Sequence, residues 1–449
     1  MSSADTDVAQ EGSPRRILGL ALPALGVLAA EPLYLLFDAA VVGRLGALPL
    51  AGLAVGGLVL AQVSTQLTFL SYGTTARAAR MHGAGRKKDA VGEGVQATWL
   101  ALLLGTVIVC LMQLVCGPIL SVIGGGGDIA AEATQWFRVA VLGVPFILVS
   151  LAGNGWMRGV QNTIRPLRFV LTGLGLSAIL CPLLVHGLIG FPYMGLVGSA
   201  VANVVGQVVA GAFFIAAVLR SEVSLRPSWS VMRAQLVLGR DLVLRSLAFQ
   251  ACFLSAAAVA SRFGAASVAA NQVVLHMWNL VSLTLDSLAI AAQTLVGAAL
   301  GRSDARGATR LGWRLTVWST VFALILAALF AAGYTSIPGL FTTDPSVVAS
   351  MQSIWWIFVV IIPVAGVVFA LDGVLLGAGD AAFLRSATLV CALVGFLPSI
   401  WLALAFDWGL RGIWVGLGIF VTLRMVTVVA RMLSGRWALV GADIQRTSE

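Results

Sequence analysis

Four carboxylates stand inside long apolar stretches of this 449-residue chain: Glu31, Asp38, Asp286 and Asp372. If those stretches cross a bilayer, each ionised acid costs about 3 kcal/mol at the membrane centre on insertion scales. Such a group persists only when it is paired, protonated or in contact with water. Its default reading is therefore functional, as a carrier of protons or cations or as a lining group of a polar path. Glu31 and Asp38 are seven residues apart and so lie on nearly the same helix face. They could titrate as a coupled pair, or Glu31 could line a cavity. Pro23 and Pro32 precede Asp38, each removing a helix hydrogen bond, which makes a bend in this helix plausible.

The composition requires the stretches to be membrane spans. Hydrophobic residues make up 59% of the chain and charged residues 10%, against about 25% charged in soluble proteins. A soluble fold could not cover its surface with so few charges, and disorder is excluded by the same hydrophobicity. Spanning helices need about 20 apolar residues, and twelve fit: 17–42, 48–72, 92–116, 130–156, 167–189, 194–219, 237–260, 267–299, 312–332, 348–376, 385–405 and 409–433. The continuous apolar runs argue against a barrel of short alternating strands. Four basic residues (Arg44, Arg138, Arg262 and Arg411) fall on the odd-to-even side; the other twenty-four belong to the opposite side or to helix ends beside it. By the positive-inside rule both termini are cytoplasmic, in an inner (plasma) membrane. The net charge of +9 thus reflects orientation, and no nucleic-acid partner is expected. The tryptophans Trp355, Trp356, Trp401, Trp408 and Trp414 read as an interfacial belt. Five scattered cysteines and three histidines have no disulfide or metal spacing, so no metal is expected.

An internal repeat organises the spans. Arg44-Leu-Gly46-Ala recurs as Arg262-Phe-Gly264-Ala, 218 residues later, and the same offset carries Gly83 onto Gly301, Pro145 onto Pro363 and Gly159 onto Gly377. After a four-residue contraction, Gly195-Leu-Val-Gly198 overlies Gly409-Leu-Arg-Gly412. Each half holds six helices, an even number, so the halves run in the same direction. The fold class is an all-α integral membrane protein of two parallel six-helix lobes related by a pseudo-twofold axis along the membrane normal; substrate sites of such folds lie between the halves near the midplane. The expected divisions are a tail at 1–14, an N-lobe at 15–219, a linker at 220–236, a C-lobe at 237–434 and a tail at 435–449.

Three segments carry a family resemblance. Ala30-Glu-Pro-Leu-Tyr-Leu-Leu-Phe-Asp38-Ala-Ala-Val-Val-Gly43-Arg-Leu-Gly46 resembles the first-helix signature of multidrug and toxic compound extrusion (MATE) transporters. Asp372-Gly-Val-Leu-Leu-Gly377-Ala-Gly379-Asp380 is similar to the tenth-helix motif of their DinF branch, and Ala269 to Gly301, with Gln293 and Gly297, resembles that branch's eighth helix. The resemblance implies a secondary antiporter that exports amphipathic or cationic compounds by alternating access, without ATP or a cofactor, as a monomer in the lipid bilayer. It also implies that Asp38 is the N-lobe proton or cation site. The family's second aspartate on helix 5 is replaced here by Cys181, and its asparagine by Ser177, while Asn203 stands on helix 6 where threonine is frequent. One carboxylate with Ser177 and Asn203 makes a poor cage for sodium, a hard cation that wants several oxygens. A proton is the expected coupling ion, with Na+ as the alternative.

Asp372 matches the branch's helix-10 aspartate, and its repeat mate is Asn154. Asp286, whose repeat mate is Thr68, and Glu31 are further intramembrane candidates. Asn154, Asn271, His276, Met277, Trp278 and Gln293 are candidate cavity residues, with helix–helix hydrogen bonding as the competing role for the polar ones. Three alternatives have distinguishing signals. A major facilitator exporter is suggested by Gly85-Arg-Lys-Lys88 but lacks the usual upstream aspartate. A lipid or lipid-linked sugar flippase would place basic clusters inside its cavity, whereas the arginines here read as peripheral. An intramembrane enzyme would need clustered catalytic groups, and the four acids are scattered, so no enzyme is expected.

Overall fold

The computed structural model describes residues 13–443, so residues 1–12 and 444–449 of the expected tails at 1–14 and 435–449 lie outside the described residues. Among the described residues twelve helices are long and apolar enough to cross a membrane. They are α1 Pro14–Gly43, α2 Ala47–Gly83, α3 Lys87–Ile123, α4 Gly127–Gly159, α5 Ile164–His186, α6 Leu196–Leu219, α7 Trp229–Phe263, α8 Ala265–Gly301, α9 Ala305–Ala332, α10 Pro345–Gly377, α11 Ala381–Ala405 and α12 Gly409–Ser434. Each expected span falls on one of these, and most helices run several residues past the apolar window. α3, for example, begins with Lys87, Lys88 and Asp89, whose charges belong in water while their backbone continues the helix. α1 is helical through both Pro23 and Pro32. α2 breaks at Leu67–Thr68, and α11 contains a π-turn at Ala392–Phe396.

The described residues pack as two compact units: one is Pro23–Gly239, the other residues 240–443 together with residues 13–22. The segment 220–236 belongs to the first unit and is tied down there. Trp99 donates to the Leu225 carbonyl, Gln96 donates to the Arg226 carbonyl and accepts from the Ser228 amide, and Gln235 donates to the Glu93 carboxylate, which also pairs with Arg77.

The same local solutions recur in both units. The turns ahead of α2 and α8 end on Gly46 and Gly264, with φ of 122° and 92°, a conformation that side-chain-bearing residues rarely adopt. On α4, Gly155 and Gly159 meet the α2 backbone, where an added Cβ would press on the carbonyls of Ser71 and Thr75. On α10, Gly373 and Gly377 meet the α8 backbone at the carbonyls of Ala289 and Gln293 in the same way. These are small-residue contacts at four-residue spacing, the device by which membrane helices approach closely without a hydrophobic driving force between them. All four glycines and all four contacted residues are related by the repeat offset.

Two of the belt tryptophans do not face lipid. Trp355 and Trp414 are fully buried in the core of the second unit, whereas Trp356, Trp401 and Trp408 are exposed. The helix-facing directions of α10 and α12 decide this, and an apolar run on all sides does not reveal them.

The α8–α10 contact leaves no room for a methyl group at Gly373. Gly373→Ala should destabilise the purified protein by about 1–3 kcal/mol, the range for overpacking, and lower its thermal midpoint. Gly57→Ala, where nothing lies within 4 Å of an added Cβ, should not lower it.

Candidate functional site

Two glycines facing each other bring α5 and α6 together. A Cβ on Gly173 would press on the Gly206 carbonyl oxygen, and a Cβ on Gly206 on the Gly173 carbonyl oxygen. This approach aligns a polar stripe on each helix. Ser177 and Cys181 follow Gly173 at four-residue steps on α5, while Ser199 and Asn203 precede Gly206 on α6. Residues three and four apart share a helix face. On α1 the matching face carries Glu31, Tyr34 and Asp38.

Asp38 is 1% exposed, and both of its oxygens are engaged. The Ser199 hydroxyl donates to Oδ2 at 2.8 Å, and the Cys181 thiol donates to Oδ1 at 3.1 Å. Ser199 is itself oriented from α4, where the buried Trp136 indole Nε1 donates to its hydroxyl oxygen at 3.3 Å. The polar chain continues one turn away. Ser177 donates to the Tyr34 hydroxyl at 2.6 Å, and Asn203 hydrogen-bonds the same oxygen. Of the three neighbours expected around Asp38, Cys181 touches it directly, while Ser177 and Asn203 reach Tyr34 instead.

This arrangement can accommodate a proton. An ionised Asp38 accepts from the hydroxyl and the thiol. A protonated Asp38 can donate to the Ser199 oxygen, because a hydroxyl has two lone pairs and a rotatable hydrogen. In either state each of these groups keeps at least one hydrogen bond. A bare cation would be served worse, since the immediate shell offers one carboxylate, one hydroxyl and a soft thiol. Among the described residues no group of three or more His, Cys, Asp or Glu is arranged to hold a metal.

A cavity of about 190 Å³ opens in the first unit, lined in part by Glu31, Thr68, Ser71, Ser150, Asn154 and Arg158. Asp38 is not among its lining residues. Glu31 is exposed to this space, while Asn154 and Ser150 are buried, with Oδ1 and Oγ respectively lacking a hydrogen-bond partner. Arg158 Nη1 reaches the Ser71 hydroxyl at 3.4 Å.

In the second unit, Asp372 is gripped by two arginines, Arg245 at 2.5 Å and Arg424 at 2.7 Å. Phe249 lies beneath both, its ring centroid 5.6 Å from the Arg245 guanidinium carbon and 5.0 Å from that of Arg424. Asn271 accepts from the Trp414 indole at 3.1 Å and so joins α8 to α12. Met277 and Trp278 pack in the apolar core of this unit, and His276 is exposed. Gln293 is buried under Gly377, and Asp286 is half-buried.

Sequence reasoning passed over Tyr34, Trp136 and Ser199. Tyr34 and Ser199 stand four residues before Asp38 and Asn203, so a same-face search would have found both. The reading of the arginines as peripheral needs correction. Arg80, Arg158 and Arg424 are 1%, 4% and 5% exposed, each on a spanning helix with its charge turned into protein.

Comparison with known proteins agrees with this fold. The family model described as MatE matches residues 23–183 and again 242–401, one copy in each half. Protein DETOXIFICATION 44, chloroplastic, of Arabidopsis thaliana is 31% identical over 450 residues, covering 94% of this chain and 83% of its own length. DNA damage-inducible protein F of Escherichia coli (strain K12) is 30% identical over 433 residues, 93% of this chain and 92% of that protein. A MATE transporter crystallised in the bent conformation superposes with a TM-score of 0.86 at 22% identity, over 97% of both chains, a likeness of fold. The chain therefore belongs to the MATE family of multidrug and toxic compound transporters, on its DinF branch, and is a multi-pass membrane transporter, not an enzyme. Membership sets aside the major facilitator alternative.

Ser199 holds Asp38 directly, and Ser177 is one hydrogen bond removed. Losing a hydrogen bond to a charged group costs about 1.5–3 kcal/mol. Ser199→Ala should therefore lower transport about tenfold or more, and Ser177→Ala distinctly less, in ethidium efflux from a pump-deficient bacterium.

Proposed function

We propose that this chain is a secondary antiporter that exports amphipathic, often cationic compounds in exchange for protons, by alternating access. Asp38 is the residue that carries the coupling proton. The single observation behind this reading is the Asp38 shell: one buried carboxylate whose two donors, Ser199 and Cys181, tolerate both protonation states. Sodium is the less supported ion, because Cys181 occupies the place where a second carboxylate would help to hold it. Glu31, exposed to the cavity that Asn154 and Ser150 also line, is the acid best suited to meet a cationic substrate there. No cofactor enters the cycle, since the ion gradient supplies the energy.

The charge distribution along the chain supports an inner (plasma) membrane protein with both termini in the cytoplasm. We take the transporting unit to be a monomer. The flippase reading is less favoured, because the largely apolar cavity carries one acid and one arginine where a pyrophosphate headgroup would call for several cations.

Purified protein in liposomes tests the coupling. An imposed pH gradient should drive ethidium transport by the wild type and not by Asp38→Asn. Transport driven by a sodium gradient at constant pH, or equal rates for the two proteins under a pH gradient, would overturn the proton reading.

A further inference from the structure

Arg245, Arg424 and Asp372 meet inside the spanning part of the second unit, and two guanidinium groups against one carboxylate leave a net charge of +1. Stability does not call for that ratio. One arginine can satisfy a carboxylate through a bidentate fork, and an unneutralised charge within a span is costly. Nor does Asp372 use both arginines fully, since the Nε–H of each is buried without an acceptor. Arg424 is almost inaccessible, whereas Arg245 keeps 14% of its side-chain exposure and forms the reachable edge of the cluster.

The repeat identifies which part of the frame this is. At the 218-residue offset, Arg245, Phe249 and Asp372 fall on Val27, Glu31 and Asn154; at the 214-residue offset that holds after the contraction, Arg424 falls on Ala210. All four of these earlier residues line the cavity of the first unit. The same four positions thus line an open pocket in one unit and form a cationic cluster over an aromatic ring in the other. The exchange also reverses polarity, because the acid Glu31 has become Phe249 while apolar Val27 and Ala210 have become arginines.

We propose that Arg245 and Arg424, held in place by Asp372, form a binding position for an anionic group, a carboxylate or sulfonate, on compounds that this transporter carries. The planar guanidinium fork matches such oxyanions in geometry as well as charge, and Phe249 offers a face for an attached aryl group. In this arrangement Asp372 is a fixed counter-charge and takes no part in proton coupling. The inference rests on the exporter reading only for its purpose, because binding can be measured without transport.

A charge series tests it, using calorimetric titration of the purified full-length protein in detergent with p-toluenesulfonate. Arg245→Gln leaves a neutral Asp372–Arg424 pair and should still fold. It should weaken binding by at least about tenfold, the loss of one charge-assisted hydrogen bond. Asp372→Asn raises the cluster to +2 and should bind more tightly than the wild type. No binding by the wild type, equal affinities for wild type and Arg245→Gln, or weaker binding by a folded Asp372→Asn would each overturn the proposal. If Asp372→Asn does not fold, the Arg245→Gln comparison decides alone. Failure here leaves ethidium transport untouched, and failure of ethidium transport leaves this series intact.

Discussion

A carboxylate within a bilayer must be given partners by the protein, since the lipid offers none. At Asp38 that requirement is met by a hydroxyl and a thiol from two different helices, α6 and α5. Those two groups reach Asp38 together because Gly173 and Gly206 let the α5 and α6 backbones meet. The indole of Trp136 then fixes the hydroxyl from a further helix. Much of the first unit's packing is thereby tied to one ionisable group. A change in its protonation alters a hydrogen bond shared by α1 and α6, a local event that a transporter can turn into a change of helix packing.

The two units are built on one frame and have diverged in charge. Their glycine contacts, between α2 and α4 and between α8 and α10, correspond residue for residue, because any side chain there would separate the helices. Where the frame leaves room, the sequence has been free to change. The first unit keeps a largely apolar cavity with one acid and one arginine, and the second fills the corresponding positions with Arg245, Phe249, Asp372 and Arg424. The intramembrane acids are accordingly not equivalent. Asp38 is met only by neutral donors, whereas Asp372 is neutralised by cations.

The twelve spans, their division into similar halves and the place of Asp38 within a span were legible in the sequence, because apolar length, glycine spacing and a lone acid in an apolar run are one-dimensional signals. Asn271 against Trp414, the core positions of Met277 and Trp278 and the burial of Trp355 were not, since helices apolar on every side carry no mark of which face meets lipid. Arg245 and Arg424 looked like basic residues near helix ends, and only the approach of α7 and α12 to α10 reveals that they share one carboxylate. Ser177 and Asn203 were recognised as polar groups near the site, but their contact with Tyr34 depends on how α1 turns against α5 and α6.

In the proposed antiport cycle Asp38 holds a proton that substrate binding displaces. The most direct measurement is proton release into weakly buffered solution when tetraphenylphosphonium is added to the purified protein near neutral pH. The wild type should release up to about one proton per bound cation, and Asp38→Asn should bind the cation without release. Binding without proton release by the wild type, or equal release from both proteins, would rule out Asp38 as the proton carrier.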